Sequence, residues 1–305
     1  MSDSSGSIIW LLRRKTLMVT KLLKSQTGNQ LFIERIMYTK RYSLILDKIR
    51  CVGCQICQIV CPKEAIETVI PSNVASEGKK QPTIMIDEKK CVFCGICIAI
   101  CPFGAFSMNI NGDVVVPVLE KESFAKLIRE IEVDELKCPV GCKVCEESCP
   151  FNLIKVVADK QHWKVEVKIE KEHCPCCRVC EVKCPYDAIH VQRIILGSIN
   201  IHNEKCPENC HECMDVCPVP GVLYVSENNK VSINDFCCIY CGACKVVCPV
   251  DSALEIVRSS VRHFPVRSGA WYKALEKMTS IVGVAKELRS KSMMKAQKSV
   301  RRRFS

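Results

Sequence analysis

Short stretches that alternate hydrophobic and polar residues recur along the chain and predict many short β-strands. Four of these stretches come shortly before a cluster of cysteines; they cover residues 83–87, 165–170, 199–202 and 231–234. Residues 221–225 and 231–233, separated by a polar turn at 227–229, predict a two-stranded hairpin. This pattern favours an α+β fold built from small modules.

Two further segments have the three- and four-residue spacing of amphipathic helices, residues 8–24 and 271–288. Arg13 and Arg14 also suggest a twin-arginine export signal, but only residues 16–20 precede Lys21, too few for the apolar region of such a signal. We therefore predict basic helical extensions at both ends and a cytoplasmic protein. No apolar run reaches the length of a transmembrane helix, about 18 residues.

Cysteine dominates the composition, at 26 of the 305 residues. All but two cysteines fall into six runs, each with a proline directly after its fourth cysteine. Numbered one to six in chain order, the runs are Cys51, Cys54, Cys57 and Cys61; Cys91, Cys94, Cys97 and Cys101; Cys138, Cys142, Cys145 and Cys149; Cys174, Cys177, Cys180 and Cys184; Cys206, Cys210, Cys213 and Cys217; and Cys238, Cys241, Cys244 and Cys248. Thiols at this density indicate a reducing compartment, or one in which a metal group protects them.

The spacing within each run indicates the chemistry. Four soft thiolates select zinc or an iron–sulfur group. Structural zinc sites use paired Cys-x-x-Cys arms, which would leave the third cysteine and the Cys-Pro ending unexplained. Two-residue gaps instead let an extended loop curl around a four-iron cube, and the longer last gap carries the fourth cysteine towards another cluster. We expect a short helix after each Cys-Pro, because the first turn of a helix does not need the N–H that proline lacks.

The repeated run is similar to the bacterial-type ferredoxin motif, and the chain resembles an archaeal polyferredoxin of tandem two-cluster [4Fe–4S] modules. The resemblance implies six [4Fe–4S] clusters held by the cysteines of the six runs. It also implies that runs one and two, three and four, and five and six form modules, although nested pairing stays open. The expected divisions are a basic N-terminal extension (1–42), module one (43–119), a linker helix (120–137), module two (138–197), module three (198–258) and a basic amphipathic tail (259–305).

The chain departs from the ferredoxin pattern in two ways. Runs three and five have a three-residue first gap, which leaves open whether their loops hold an ordinary four-iron cube. Cys176 and Cys237 lie outside the runs. Cys237 could replace Cys238 as a ligand, but we interpret both spare cysteines as small buried hydrophobic residues.

Charge is distributed unevenly along the chain. Residues 1–50 have a net charge of +7, residues 258–305 have +11, and the part between has −7. Bound clusters would make the middle still more negative, and the basic arms have no nucleic-acid-binding motif and no aromatic residues interleaved with their basic ones, so we expect no nucleic-acid partner. The arms could contact the acidic core, a partner protein, a membrane surface or solvent, and for the C-terminal amphipathic helix we favour docking to a partner protein over binding to a membrane surface.

The sequence shows no catalytic constellation, and four cysteines per cluster would leave no iron open to substrate. We therefore expect an electron-transfer subunit with no catalytic residues of its own. The tail at residues 269–280 resembles that of the iron–sulfur subunit of formylmethanofuran dehydrogenase, which implies a molybdenum- or tungsten-pterin partner subunit and a role in methanogenesis. A polyferredoxin associated with hydrogenase or heterodisulfide reductase, and a soluble multi-cluster carrier or store, remain alternatives. Carboxylates within runs three and five predict lower potentials there.

Overall fold

The computed structural model describes residues 21–70, 81–159, 164–280 and 292–293. Short helices and short antiparallel sheets alternate within these residues, which confirms the predicted α+β class. Buried apolar side chains from all parts of the described chain form one connected core. Within the described ranges, no helix is long and apolar enough to cross a membrane.

The described part of the N-terminal extension is a β-hairpin, so the predicted helix is wrong over residues 21–24. Strands β1 (Lys21–Thr27) and β2 (Gln30–Ile36) meet at a turn in which Gly28 has a φ of +54°. Leu31 and Ile33 are buried, and their two-residue spacing suits a strand with one covered face. The remainder of the predicted helix, residues 8–20, lies outside the described residues.

The first unit of the fold adds this hairpin to its own strands. Its elements are β3 (Arg41–Asp47), α1 (Ile56–Val60), β4 (Ile66–Val69), β5 (Thr83–Ile86), α2 (Ile96–Ile100), β6 (Phe106–Ile110) and β7 (Asp113–Val114). The main sheet has the order β1-β2-β3-β6-β7, and β4 and β5 form a separate hairpin. Because β3 pairs with β6, the chain returns after run two to the strand that precedes run one.

The predicted linker helix over residues 120–137 is also wrong. A short helix, α3 (Pro117–Glu120), ends where the linker helix was expected to begin, and strand β8 (Ile131–Val133) occupies part of the predicted range. Ile131 and Val133 flank the exposed Glu132, and the three residues pair with Ile189–Val191. This distant pairing determines the strand conformation, whereas the local sequence is compatible with a helix.

The strand arrangement of the first unit occurs twice more. The second unit consists of β8, α4 (Val144–Ser148), β9 (Ile154–Asp159), β10 (Lys164–Ile169), α5 (Val179–Lys183) and β11 (Ile189–Val191). The third consists of β12 (Ile195–Ile201), α6 (Glu212–Asp215), β13 (Leu223–Val225), β14 (Val231–Ile233), α7 (Ala243–Val247) and β15 (Leu254–Val261). In each, the first strand pairs with the last, and an internal hairpin lies between the two runs.

The sequence analysis predicts a short helix after each Cys-Pro, and this prediction is wrong for the regular runs. Their short helix comes before the Cys-Pro. Helix α1 contains Cys57 and is followed directly by Cys61, while α2 contains Cys97 and is followed directly by Cys101. A residue before proline is disfavoured in the α conformation, and Cys61 and Cys101 have extended ψ angles of 116° and 115°. Proline therefore ends each helix just before the fourth cysteine.

Helix α8 (Gly269–Thr279) confirms the predicted C-terminal helix up to Thr279, but the helix ends there because Ser280 has an extended backbone, and residues 281–288 of the prediction lie outside the described residues. Ser268 caps it by accepting the N–H of Trp271 at 3.4 Å. Trp271 is fully buried, and its ring meets that of Phe124 edge-on at a centroid distance of 5.5 Å. The apolar face of α8 thus packs against the chain itself.

Candidate metal centres

Residues with a left-handed backbone curl the regular runs into loops. In runs one, two, four and six, φ is positive at the second and fourth positions after the first cysteine: Gly53 and Gln55, Phe93 and Gly95, Cys176 and Arg178, and Tyr240 and Gly242. Gly53 also has no room for a side chain, because a Cβ there would lie 2.5 Å from Cβ of Pro82. Alternating left-handed residues turn neighbouring N–H groups to one side, which forms a concavity suited to anions.

Backbone N–H groups donate to the last thiol of runs one to four. The N–H of the residue four positions later lies 3.4 Å from the sulfur in each run, and the pairs are Ala65 with Cys61, Ala105 with Cys101, Leu153 with Cys149, and Ala188 with Cys184. Runs five and six differ here. The sulfurs of Cys217 and Cys248 lie 3.3 Å from the carbonyls of Val219 and Val250.

Three cavities are each lined by thiols from two runs. Their cysteines are Cys57 and Cys61 with Cys91, Cys94 and Cys97; Cys149 with Cys174, Cys177 and Cys180; and Cys217 with Cys238, Cys241 and Cys244. In each cavity the last cysteine of one run joins the first three of the next. Most other lining residues are apolar, including Leu44, Ile131 and Ile199.

The remaining run cysteines come together in the reciprocal way. The electrostatic interactions connect Cys57 with Cys51, Cys54 and Cys101, and also with Cys97 of run two; Cys138 with Cys142 and Cys184; Cys145 with Cys138 and Cys142; and Cys213 with Cys206, Cys210 and Cys248. The structure thus groups the predicted cysteines into six thiol sets, and this grouping favours adjacent over nested pairing of the runs. Each set is named below after the run that supplies its first three cysteines.

The thiol sets need a positively charged partner in order to ionise. Burial, followed by the charge of neighbouring thiols in the run-four set, raises the pKa of Cys180 to about 12. Burial, followed by the charge of neighbouring thiols, also raises the pKa of Cys54 and of Cys57 well above the usual range. Because metals bind the thiolate, a cationic iron–sulfur core would compensate for this cost. The sulfur-only donor sets and their apolar walls fit [4Fe–4S] clusters.

The arrangement differs from a structural zinc site. Zinc binds four ligands at about 2.0–2.3 Å from one ion. No three His, Cys, Asp or Glu side chains in the described ranges are placed to hold a single metal ion. The thiols line cavities instead.

The spare cysteines occupy defined places outside the thiol sets. Cys176 has a φ of +56° at the loop position that Gly53 occupies in run one, and it is fully buried. A hydrogen bond from its side chain lowers the pKa of Cys174. Cys237 ends a 3₁₀ turn and is half-buried, whereas Cys238 lines the run-six cavity. The sequence analysis missed the backbone role of Cys176, which only alignment of the runs by their second loop position would indicate.

Comparisons with known proteins agree with this chemistry. Family models match for a 4Fe-4S dicluster domain over residues 50–105, a 4Fe-4S double cluster binding domain over 90–152 and a 4Fe-4S binding domain over 238–252. No curated protein gives a significant match.

One solved structure covers most of the chain. It is a chain of the formate dehydrogenase–heterodisulfide reductase–formylmethanofuran dehydrogenase complex from Methanospirillum hungatei, with 30% sequence identity and a TM-score of 0.75. The match covers 85% of this chain and 91% of that one. Together with the 4Fe-4S domains, it shows that the chain belongs to the polyferredoxin-like family of multi-[4Fe–4S] electron-transfer subunits.

Proposed function

We propose that the chain holds six [4Fe–4S] clusters in three two-cluster modules, one cluster in each thiol set. The repetition of one thiol arrangement six times carries this proposal. The ligands are the cysteines of the six runs, with the first three of each run and the last of its partner run acting together. The long-gap runs three and five are included, because their thiols associate with Cys184 and Cys248 as the other runs do with their partners.

In each thiol set, the thiols would bind the cluster, while the surrounding residues orient those thiols and shield them from water. Each bound cluster stores one low-potential electron. Four thiolates per set leave no iron coordination position for a substrate, so the chain conducts electrons without performing the chemistry itself. Apolar side chains such as Leu44 and Ile86 exclude water from the run-two cavity. The buried N–H of Ala105 donates to Cys101 and offsets its negative charge.

We propose that the electrons pass to or from formylmethanofuran dehydrogenase, with the pterin chemistry on a separate subunit, and that the protein acts in the cytoplasm. The similar chain belongs to a complex whose name includes that enzyme. The same name includes heterodisulfide reductase, which makes a subunit serving that enzyme the second candidate. A hydrogenase partner or a freely diffusing carrier has no corresponding support from the comparisons.

Anaerobic affinity purification of the tagged chain from its native cells tests the partner. We expect pterin-containing subunits of formylmethanofuran dehydrogenase in fixed stoichiometry, and a tagged two-cluster ferredoxin from the same cells serves as the control. Fixed stoichiometry with heterodisulfide reductase alone would establish the second candidate. A chain that elutes without any stoichiometric partner would contradict both and indicate a carrier.

A further inference from the structure

Arg258 places a guanidinium among backbone groups of run six. Arg258 is half-buried and lies in β15, two residues after Ile256, which lines the run-six cavity. Its Nε donates to the carbonyl of Tyr240 at 2.9 Å, and its Nη2 donates to the carbonyl of Cys241 at 2.6 Å. These two bonds fix the charged group beside a cysteine of the run-six set.

The same guanidinium lies close to run one. A Cβ at Gly242 would lie 2.8 Å from Nη2 of Arg258 and 3.8 Å from the carbonyl oxygen of Cys54, so both groups pack against this glycine. Arg258 interacts favourably with the ionised thiols of Cys54, Cys241 and Cys244. The residue therefore stands between the run-one and run-six sets, at the junction of the first and third units.

The strand that carries Arg258 is shaped for this position. Arg258 pairs with Gly197 where the register between β12 and β15 shifts, which marks a β-bulge. A Cβ at Gly197 would collide with the carbonyl of Val257. Bulges commonly redirect side chains next to functional sites. Here the bulge comes directly after Arg258 in β15 and accompanies its inward orientation.

Arg129 occupies the other junction, between the first and second units. Its Nε donates to the carbonyl of Cys174 at 3.1 Å, and its Nη2 donates to the carbonyls of Cys101 at 3.1 Å and Pro102 at 3.4 Å. Cys101 belongs to the run-one set and Cys174 to the run-four set. The rings of Phe103 and Phe151 meet across this junction with centroids 5.9 Å apart. The run-one set thus adjoins both arginines.

The sets of the long-gap runs have different charged neighbours. Asp134 and Glu135 lie in the turn directly before Cys138, whose Sγ is 3.9 Å from the carbonyl oxygen of Asp134. Glu204 lies in the turn that the N–H of Cys206 closes by donating to the carbonyl of Asn203 at 3.3 Å. The run-three and run-five sets therefore lie near carboxylates, whereas guanidinium groups lie beside the run-one, run-four and run-six sets.

We propose that Arg129 and Arg258 raise the reduction potentials of the clusters in the run-one, run-four and run-six sets above those of the run-three and run-five sets. A reduced cluster carries one more negative charge than an oxidised one, and a fixed guanidinium nearby stabilises that charge most where water is excluded. Electrons that enter at either long-gap run are then driven towards the junctions. The inference depends on the cluster assignment proposed above.

The test is an EPR-monitored redox titration of the cluster-loaded full chain and of two variants. Arg258→Gln should make reduction of the run-one and run-six clusters about tenfold less favourable in its equilibrium constant. Their midpoint potentials then fall by about 59 mV, the value for a one-electron step. Arg129→Gln should lower those of the run-one and run-four clusters. One midpoint then responds to both variants and three respond to neither. Unchanged midpoints in both variants at full iron content would overturn the inference.

Two further variants separate charge from structure. Arg258→Lys keeps the charge and should hold the midpoints near those of the unmodified chain. Arg262→Gln removes a nearby guanidinium whose partners are Gln192 and Glu130 and should leave all midpoints unchanged. A drop in midpoint with Arg258→Lys as large as that with Arg258→Gln would show that geometry, and not charge, is responsible, and would refute the proposal.

A measurement that leaves both arginines in place covers the case in which the glutamine variants do not fold. Cys241→Ser should change the EPR signal that appears early in the reduction, and Cys138→Ser should change one that appears late. The opposite order overturns the inference. Fewer than six clusters in the unmodified chain would refute the cluster assignment, whereas six clusters in the opposite order would refute this inference alone.

Discussion

Cys61 lines the same cavity as Cys91, although the sequence places Cys61 at the end of run one and Cys91 at the start of run two. The pairing of β3 with β6 brings the two runs together. Cys61 directly follows helix α1, and the N–H of Ala65 donates to the Cys61 sulfur at 3.4 Å. Each run thus contributes its last thiol to the set of its partner run.

Replacing Cys61 with serine should therefore disturb the cluster of run two and spare that of run one. We expect an altered EPR signal for one cluster and a loss of up to four iron atoms per chain, about one cluster. Cys101→Ser is the matched variant, and it should affect the run-one cluster instead. If Cys61→Ser and Cys57→Ser change the same EPR signal, the exchange of thiols between the runs is refuted.

The adjacent residues Cys176 and Cys177 should respond differently to serine substitution. Cys177 lines the run-four cavity, whereas Cys176 supplies a left-handed backbone position and is absent from that lining. We expect Cys177→Ser to lose or alter one cluster and Cys176→Ser to keep full iron content, as measured by metal analysis and EPR. Equal iron loss in the two variants would show that Cys176 is a ligand.

The six runs could be predicted from the sequence because ligand spacing is local, and the strand before each run is visible as alternation. The partners of each thiol could not, because Cys61 and Cys91 meet only through the distant pairing of β3 with β6. The conformation of residues 131–133 was missed for the same reason, since β11 determines it. Arg258 looks like an ordinary charged residue in the sequence, and its role depends on three separate segments.

Trp271 should contribute strongly to stability, because its fully buried ring packs on Phe124 and its Nε1 lies 3.3 Å from Nε2 of His263. Trp271→Ala should cost about 3–5 kcal/mol and lower the anaerobic thermal unfolding midpoint of the loaded chain. Tyr272→Ala is the control on the same helix, where the side chain is 58% exposed, and should cost under about 0.5 kcal/mol. Equal midpoints for the two variants would contradict the packing of α8.

The same packing predicts a difference between two C-terminal truncations. Removal of residues 281–305 keeps Trp271 and should preserve iron content and the thermal midpoint. Removal of residues 266–305 uncovers Phe124 and should lower the midpoint, so this deletion cannot by itself demonstrate partner docking. An identical midpoint in the two truncated chains would show that α8 does not stabilise the core.

Iron removal should unfold the three units together with the loss of their clusters. Apolar core residues of each unit line a thiol cavity, and metal binding supplies much of the folding free energy of such small modules. Anaerobic chelation should therefore abolish the cooperative thermal transition and far-UV circular dichroism in step with cluster absorption. A chelated chain that retains a cooperative transition would refute the coupling.

The most direct test of six clusters in six thiol sets is the iron and acid-labile sulfide content of the anaerobically reconstituted chain. The account predicts about 24 iron and 24 sulfide per chain, with negligible zinc. A result of about 16 of each, with intact signals from the regular runs, would mean that the run-three and run-five sets do not hold four-iron clusters, and would contradict the account.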